Sequence, residues 1–250
     1  MQSKVVAVPV ADMRAEPKHG TERTSQVLYG FRVQVREAQD KFVRVISDDS
    51  YEGWVAASYL VDETFLSPRQ SVVISNFAEF EFATRSGRLI LPFGALIAVG
   101  GQSEVLRDVR TGEPLKLLTG ILRDKDDHAN LNPLTLAYQF MSIPYLWGGT
   151  STYGFDCSGL TQAVYRRCGV ILPRNSKEQR KVGLEVTLAD SQPGDLILFP
   201  GHVALHVGSL RILHANRLRG MVTEESLNPR DTDFRSDLAE KIITVRRVGT

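Results

Sequence analysis

The sequence predicts an α+β protein in which two small β-barrels, residues 1–62 and 63–122, precede a mixed domain, residues 123–250. Three observations carry that expectation. The first 122 residues alternate apolar and polar positions in short runs bounded by Gly, Asp or Pro. The run "RDKDDHANLNP" then breaks in with no apolar period and reads as a linker over about 123–133. Beyond it the pattern changes to helices followed by strands.

The elements follow in order. "KVVAVPVADMRAEP", "FRVQVREAQDKFVRVIS" and "EGWVAASYL" are the strands of the first segment. The piece "YEGWVAASYL" resembles the closing signature of bacterial SH3-like domains, which implies a small barrel over about sixty residues. "SVVISNFAEFEFAT", "RLILPFGALIAVGG" and "EVLRDVRTGEPLKLLTG" repeat the rhythm and predict a second, divergent SH3-like barrel. "NPLTLAYQFMSIPYLWGG" reads as a helix up to Ser142, broken at Pro144, and "NSKEQRKVG" as a short helix. The last strands, "GDLILFP", "HVALHVG" and "LRILHANR", predict an antiparallel sheet packed on those helices.

Composition bounds the function classes. With 42% hydrophobic and 24% charged residues among 250, the chain can bury a substantial core. Thirty basic against 29 acidic side chains leave a net charge of +1, so no chain-wide attraction to nucleic acid or anionic membrane is predicted. No stretch reaches the roughly 18 apolar residues of a membrane span. The start "MQSKVVAVPVADMRAE" lacks a signal peptide's apolar core. The expectation is a cytoplasmic protein, or one of the cell envelope if a leader has been removed. Oligomeric state is left open.

Both cysteines lie in "GFDCSGLTQAVYRRCGV", eleven positions apart. Leu160, Val164 and Cys168 recur at spacing four, Gly169 supplies a stop and Asp156 an N-cap, so one helix carries both thiols. At about 1.5 Å per residue the sulfurs stand roughly 16 Å apart, and a disulfide is excluded. Cys168 falls on the apolar stripe as a core residue. Cys157 sits in the first turn, where unpaired amides and the helix dipole lower a thiol's pKa. That position suits a nucleophile, or belongs to an ordinary capped helix that begins with cysteine.

A Cys–His site needs a base within reach of the sulfur and a polar group to orient it. In "HVALHVG" a period of two puts His202, Ala204 and His206 on one face, and on the next strand Ile212, His214 and Asn216 share a face. If these strands pair antiparallel across the short loop, residues near 205 and 213 lie roughly opposite, and the exact register, which the sequence leaves open, decides which imidazoles meet. Cys157, His202 and His214 can then supply all three groups. His202 and His206 have the i, i+4 spacing of a zinc pair, but on a strand, without the accompanying Glu and without any CxxC. No metal and no cofactor is predicted.

Residues 130–215 resemble the NlpC/p60 family of bacterial cysteine peptidases in "YLWGGTSTYGFDCSGL", "LPRNSKEQ", "PGDLILF", "HVALHVG" and "ILHA", in the family order. The resemblance implies a papain-like α+β catalytic domain with Cys157 as nucleophile, His202 as base and His214 as the orienting residue. His206 stands where the family more often has an aromatic, and reads as a packing or rim residue. Family members with an SH3-like N-terminal region cleave between γ-linked D-glutamate and a diamino acid in murein peptides that carry a free N-terminal L-alanine. By resemblance Trp147 and Tyr145 line the substrate pocket, Asp156 and Ser158 bind the amino end, and Ser176 lines the site.

Each residue has a plainer structural role as well. Asp156 also suits an N-cap, and Ser176 with Gln179 has capping-box spacing. Tyr51 and Glu52 read as a solvated loop before Trp54. Two rival functions stay open: an exported hydrolase acting on intact peptidoglycan, and a non-catalytic wall-peptide binding protein. The diamino acid preferred is not fixed.

Overall fold

A computed structural model describes residues 2–100 and 104–249, which fall into two compact units, residues 1–127 and 128–250. The first unit holds two seven-stranded antiparallel sheets. The strands of the first are Gln2–Val6, Val10–Arg14, Arg23–Leu28, Arg32–Gln39, Phe42–Ile46, Glu52–Ala56 and Leu60–Val61. Alternation does the folding here: Val33 is buried between the exposed Arg32 and Gln34, and joins Val6, Met13, Val45 and Val55 in the core. Asp40 takes φ 51 in the two-residue loop between strands 32–39 and 42–46.

The second sheet runs from Gln70–Val73 to Leu122–Asp124. Neither sheet is the closed barrel that the sequence led us to expect. Among the described residues, Arg23–Leu28 and Leu60–Val61 form the unpaired edges of the first sheet, as Arg88–Pro92 and Leu122–Asp124 do of the second. The last strand of each sheet has only two or three residues, too few to carry the ladder that closure requires. The sheets share a core instead, in which Val5, Leu28 and Tyr29 of the first pack with Phe80, Leu91 and Ile97 of the second.

The second unit sets helices on one six-stranded antiparallel sheet. Its strands lie in the order Leu184–Val186, Thr244–Arg247, Leu196–Phe199, His202–Gly208, Arg211–Asn216 and Met221–Ser226. Helix α1, Pro133–Tyr138, begins on Asn132, whose side chain accepts from the Leu134 and Thr135 amides. It stops short of the expected Ser142, which takes φ 67 and donates its amide to Val222 instead. Helix α2, Cys157–Arg167, matches the sequence reading from its Asp156 N-cap to the Gly169 stop at φ 85. Leu160, Val164 and Tyr165 bury its apolar face. Helices α3, Ser176–Gln179, and α4, Ser236–Ala239, are one turn each. No helix among the described residues is long and apolar enough to cross a membrane.

Candidate active site

Cys157 is the first residue of α2, in a first turn held unusually close to the preceding loop. Gly149 O accepts from the Asp156 amide at 3.1 Å, and the Gly148 amide donates to Asp156 Oδ2 at 3.0 Å. A Cβ on Gly159 would stand 2.1 Å from Gly149 O, so only glycine permits this approach. Cys157 as a whole is 8% exposed. The backbone amides of Val203 and Ser158 face the sulfur and favour thiolate, but burial first, and then the Asp156 charge, push its pKa up to about 11. The lowered pKa expected of a helix N-terminus is therefore reversed, because desolvation outweighs the dipole. The thiol rests protonated and needs a base.

The strands His202–Gly208 and Arg211–Asn216 carry two linked imidazoles. Leu205 pairs with Leu213, which fixes the register that the sequence left open and sets His202 diagonal to His214. His202 Nε2 lies 2.6 Å from His214 Nδ1, and His214 Nε2 lies 2.8 Å from Glu225 Oε2. Burial would raise the Glu225 carboxyl, but hydrogen bonds from His214, Arg219 and Arg235 outweigh it and hold the group down at about 2. A carboxylate only accepts, so His214 Nε2 carries a hydrogen. In neutral His214, Nδ1 then accepts, which makes His202 Nε2 the donor and leaves His202 Nδ1 with a free lone pair. Burial above all, with the Arg235 charge adding, lowers His202 to about 3 and keeps that lone pair unprotonated. Val203, whose amide faces the sulfur, is the next residue along the strand.

Glu225 is the functional residue that sequence reasoning missed. Asn216 Nδ2 donates to it at 2.6 Å and Arg235 Nη1 at 2.5 Å, and its side chain is 3% exposed. The segment 221–226 went unread in the sequence, and only the pairing that places Thr223 opposite His214 shows which glutamate turns inward.

Arg174 was also missed, although "LPRNSKEQ" contains it. Its guanidinium is buried and bidentate, reaching Asp156 Oδ1 at 3.1 Å and Oδ2 at 2.5 Å and Ser158 Oγ at 2.9 Å. Asp156 further accepts from the Gly159 amide at 2.7 Å and from Ser158 Oγ at 3.2 Å. The sequence left this carboxylate open for an incoming ammonium; in the structure the chain's own guanidinium already neutralises it.

Tyr145 is half-buried, and its phenol is pushed up to about 12 by burial first and then by the acidic groups of Cys157 and Asp156, so it remains an O–H donor within electrostatic reach of the thiol. Trp147, on the same loop, is 55% exposed. Ser176 opens α3 half-buried, but Asn175 is the cap, and Gln179 forms no capping box. The Gln179 amide instead bonds Thr161, Ser158 O and Pro173 O, buried partners that outcompete a helix end. His206 is 4% exposed with both ring nitrogens unpartnered, a packing residue rather than a rim one. Glu52 starts a strand and pairs with Arg44, and Tyr51 packs on the first core. Among the described residues no three His, Cys, Asp or Glu side chains are grouped so as to hold a metal.

A buried thiol at a helix start, set against an antiparallel sheet that carries a His–His–Glu chain, defines an α+β domain with its helices packed on one sheet. Residues 142–235 match the NlpC/P60 family model, and residues 9–61 match the bacterial SH3 domain. The chain is 30% identical over 264 residues, 96% of its length and 97% of the relative's, to dipeptidyl-peptidase 6 of Lysinibacillus sphaericus. It is 29% identical over 212 residues, covering 76% of this chain and 71% of the relative, to the gamma-D-glutamyl-L-lysine dipeptidyl-peptidase of Bacillus subtilis strain 168. A solved NlpC/P60 family protein from Bacillus cereus ATCC 10987 superposes with a TM-score of 0.85 at 21% identity, covering 98% of this chain and 99% of that one, and shares the fold. The chain belongs to the NlpC/P60 family.

Proposed function

We infer that the protein is a cysteine endopeptidase that hydrolyses the bond between γ-D-glutamate and a diamino acid in murein peptides with a free N-terminal L-alanine. The observation that carries this reading is the buried Cys157 thiol facing the Val203 amide, one residue from a His202 ring whose lone pair is fixed by His214 and Glu225. Support comes from the Lysinibacillus relative, matched along nearly its whole length and named a dipeptidyl-peptidase, and from the Bacillus relative named for a γ-D-glutamyl bond. A further part of the reading is that the second open sheet descends from an SH3-like barrel, and that the reaction is cytoplasmic.

His202 Nδ1 takes the Cys157 proton as the sulfur attacks the γ-glutamyl carbonyl carbon. The oxyanion meets backbone N–H groups at the start of α2, with the Tyr145 hydroxyl within electrostatic reach of the sulfur. His202 then gives its proton to the leaving amine, and the C–N bond breaks. Water, deprotonated by the same nitrogen, attacks the thioester and releases the glutamyl acid and the thiol. His214 and Glu225 fix the tautomer throughout. Trp147 and Ser176 line the acyl side, and Asp156 with Ser158 reads the amino end through the dipole of the Arg174 cluster rather than as a bare carboxylate.

Mass spectrometry of L-Ala-γ-D-Glu-diaminopimelate and its N-acetylated form, incubated with wild-type protein and Cys157→Ala, tests this. Cleavage of the free peptide alone, abolished in Cys157→Ala, is the expected result; cleavage retained by that variant sinks the assignment. A second reading has one observation behind it: over 100 residues, 33% of this chain, it is 39% identical to the peptidoglycan endopeptidase RipB of Mycobacterium tuberculosis. Equal cleavage of both peptides, with release of fragments from purified sacculi, would favour action on intact wall.

A further inference from the structure

Arg217 has no assigned role, and its placement gives it one. It lies on the exposed turn 217–220 between the strand that carries His214 and the strand that carries Glu225. The turn is held rigidly. Asn216 Oδ1 accepts from the Leu218 amide at 2.8 Å and from the Arg219 amide at 3.2 Å, while Asn216 Nδ2 is fixed on Glu225. Gly220 O accepts from the Tyr145 amide at 2.7 Å, and Pro144 bridges Met221. The turn is thereby stitched to the segment that carries the Tyr145 phenol, and that phenol feels the charges of both Cys157 and Arg217.

The charges around the thiol are otherwise balanced. Asp156 is neutralised by Arg174, and Glu225 by Arg219 and Arg235. Arg211, Arg246 and Arg247 each hold an acid as well. Arg217 has no acid partner among the described residues, so one uncompensated guanidinium stands on a turn bonded to the Tyr145 segment and within electrostatic reach of its phenol. Guanidinium is matched to a carboxylate, and an ion pair beside a desolvated thiol is less screened than one in open solvent.

We propose that Arg217 is a specificity residue that holds a substrate carboxylate next to the scissile amide. This rests on the reading above, in which such a carboxylate exists on either side of the bond: the α-carboxylate of γ-linked glutamate, or the side-chain carboxylate that diaminopimelate carries and lysine lacks. Arg217 raises affinity for acidic peptides and leaves the proton transfers at Cys157 and His202 unchanged.

The test compares kcat/KM of wild type, Arg217→Gln and Arg217→Lys on four free-amino peptides: D-glutamate or its α-amide, each followed by diaminopimelate or lysine. The expected result is that Arg217→Gln loses about 10- to 100-fold on the peptide bearing the carboxylate it reads, mostly in KM. Wild type loses a similar factor when that carboxylate is removed, and Arg217→Gln no longer distinguishes the two peptides. Arg217→Lys recovers part of the loss. Coupling to the α-amide arm identifies the glutamate carboxylate, and coupling to the lysine arm identifies the diamino acid. An Arg217→Gln enzyme that matches wild type on all four peptides, or loses equally on all four, overturns the proposal. Wild type that cleaves none of them overturns the functional reading itself, a result distinguishable from the other two.

Discussion

Glu225 sets the protonation of the whole histidine chain, and its burial makes that visible in stability as well as in rate. His202 is lowered from 6.5 to about 3, chiefly by burial, so the unfolded chain takes up a proton that the folded one refuses. Stability is fully present above pH 6.5 and falls away as the pH drops towards 3. Glu225, lowered from 4.5 to about 2, contributes stability that is present above pH 4.5 and lost as the pH falls through 2. Thermal melts between pH 7 and 2 should therefore show the upper part of the acid slope flattened in His202→Gln and the lower part flattened in Glu225→Gln. Glu225→Gln should also cut kcat by about tenfold or more, since an amide no longer dictates the His214 tautomer. Arg174 acts at the same scale. Its side chain is 1% exposed, and Arg174→Met strands the Asp156 carboxylate, at a cost of about 3–5 kcal/mol in urea unfolding. An unfolding midpoint equal to wild type would show that Asp156 finds water instead.

The first turn of α2 tests the argument at the level of an element. Alanine is the better helix former by about 1 kcal/mol, so propensity alone says that Gly159→Ala stabilises. The contact with Gly149 O says the opposite, because backbone cannot yield as a flexible side chain can. Gly159→Ala should destabilise by roughly 2–4 kcal/mol and slow turnover by moving Cys157, read from urea melts and kcat together. A more stable Gly159→Ala would mean that the loop shifts freely. Elements differed in how far sequence revealed them, and for physical reasons. Helix α2 was legible because its cap, period and stop all come from local chemistry, and the strand His202–Gly208 because its alternation is strict. Strands Met221–Ser226 and Thr244–Arg247 were not, since their polar residues are paired by what other segments bring to them, Tyr138 to Glu224 and Asp195 to Arg247. The same reason hid Glu225 and Arg174. Each is polar, and each is a site residue only by virtue of what the fold brings to it, whereas the thiol and imidazoles announce their chemistry by type.

At the scale of the molecule, the first unit joins two sheets that the sequence presents as separate segments. Tyr29 is 1% exposed; its hydroxyl donates to Asp108 Oδ1 at 2.7 Å and accepts from the Val109 amide at 2.8 Å, so one side chain of the first sheet satisfies two buried groups of the second segment. Beside it Gly30 sits at φ 82, where a Cβ would lie 2.1 Å from Leu96 O, and Leu96 returns its amide to Tyr29 O at 2.9 Å. Cutting the chain between the sheets would expose Leu28 and Tyr29 and strand Asp108, so neither half should be stable alone. Limited proteolysis of the intact protein should therefore release a resistant fragment ending near residue 127 rather than near 62. Tyr29→Phe should lower the stability of that fragment by about 1–3 kcal/mol, because Asp108 and the Val109 amide lose a partner where no solvent reaches them. Gly30→Ala, which must break the contact with Leu96 and hold a strained φ, should cost more than Tyr29→Phe in the same assay. If a fragment ending near 62 accumulates instead, and Tyr29→Phe melts with wild type, the two sheets are independent folding units and the shared core adds nothing to their stability.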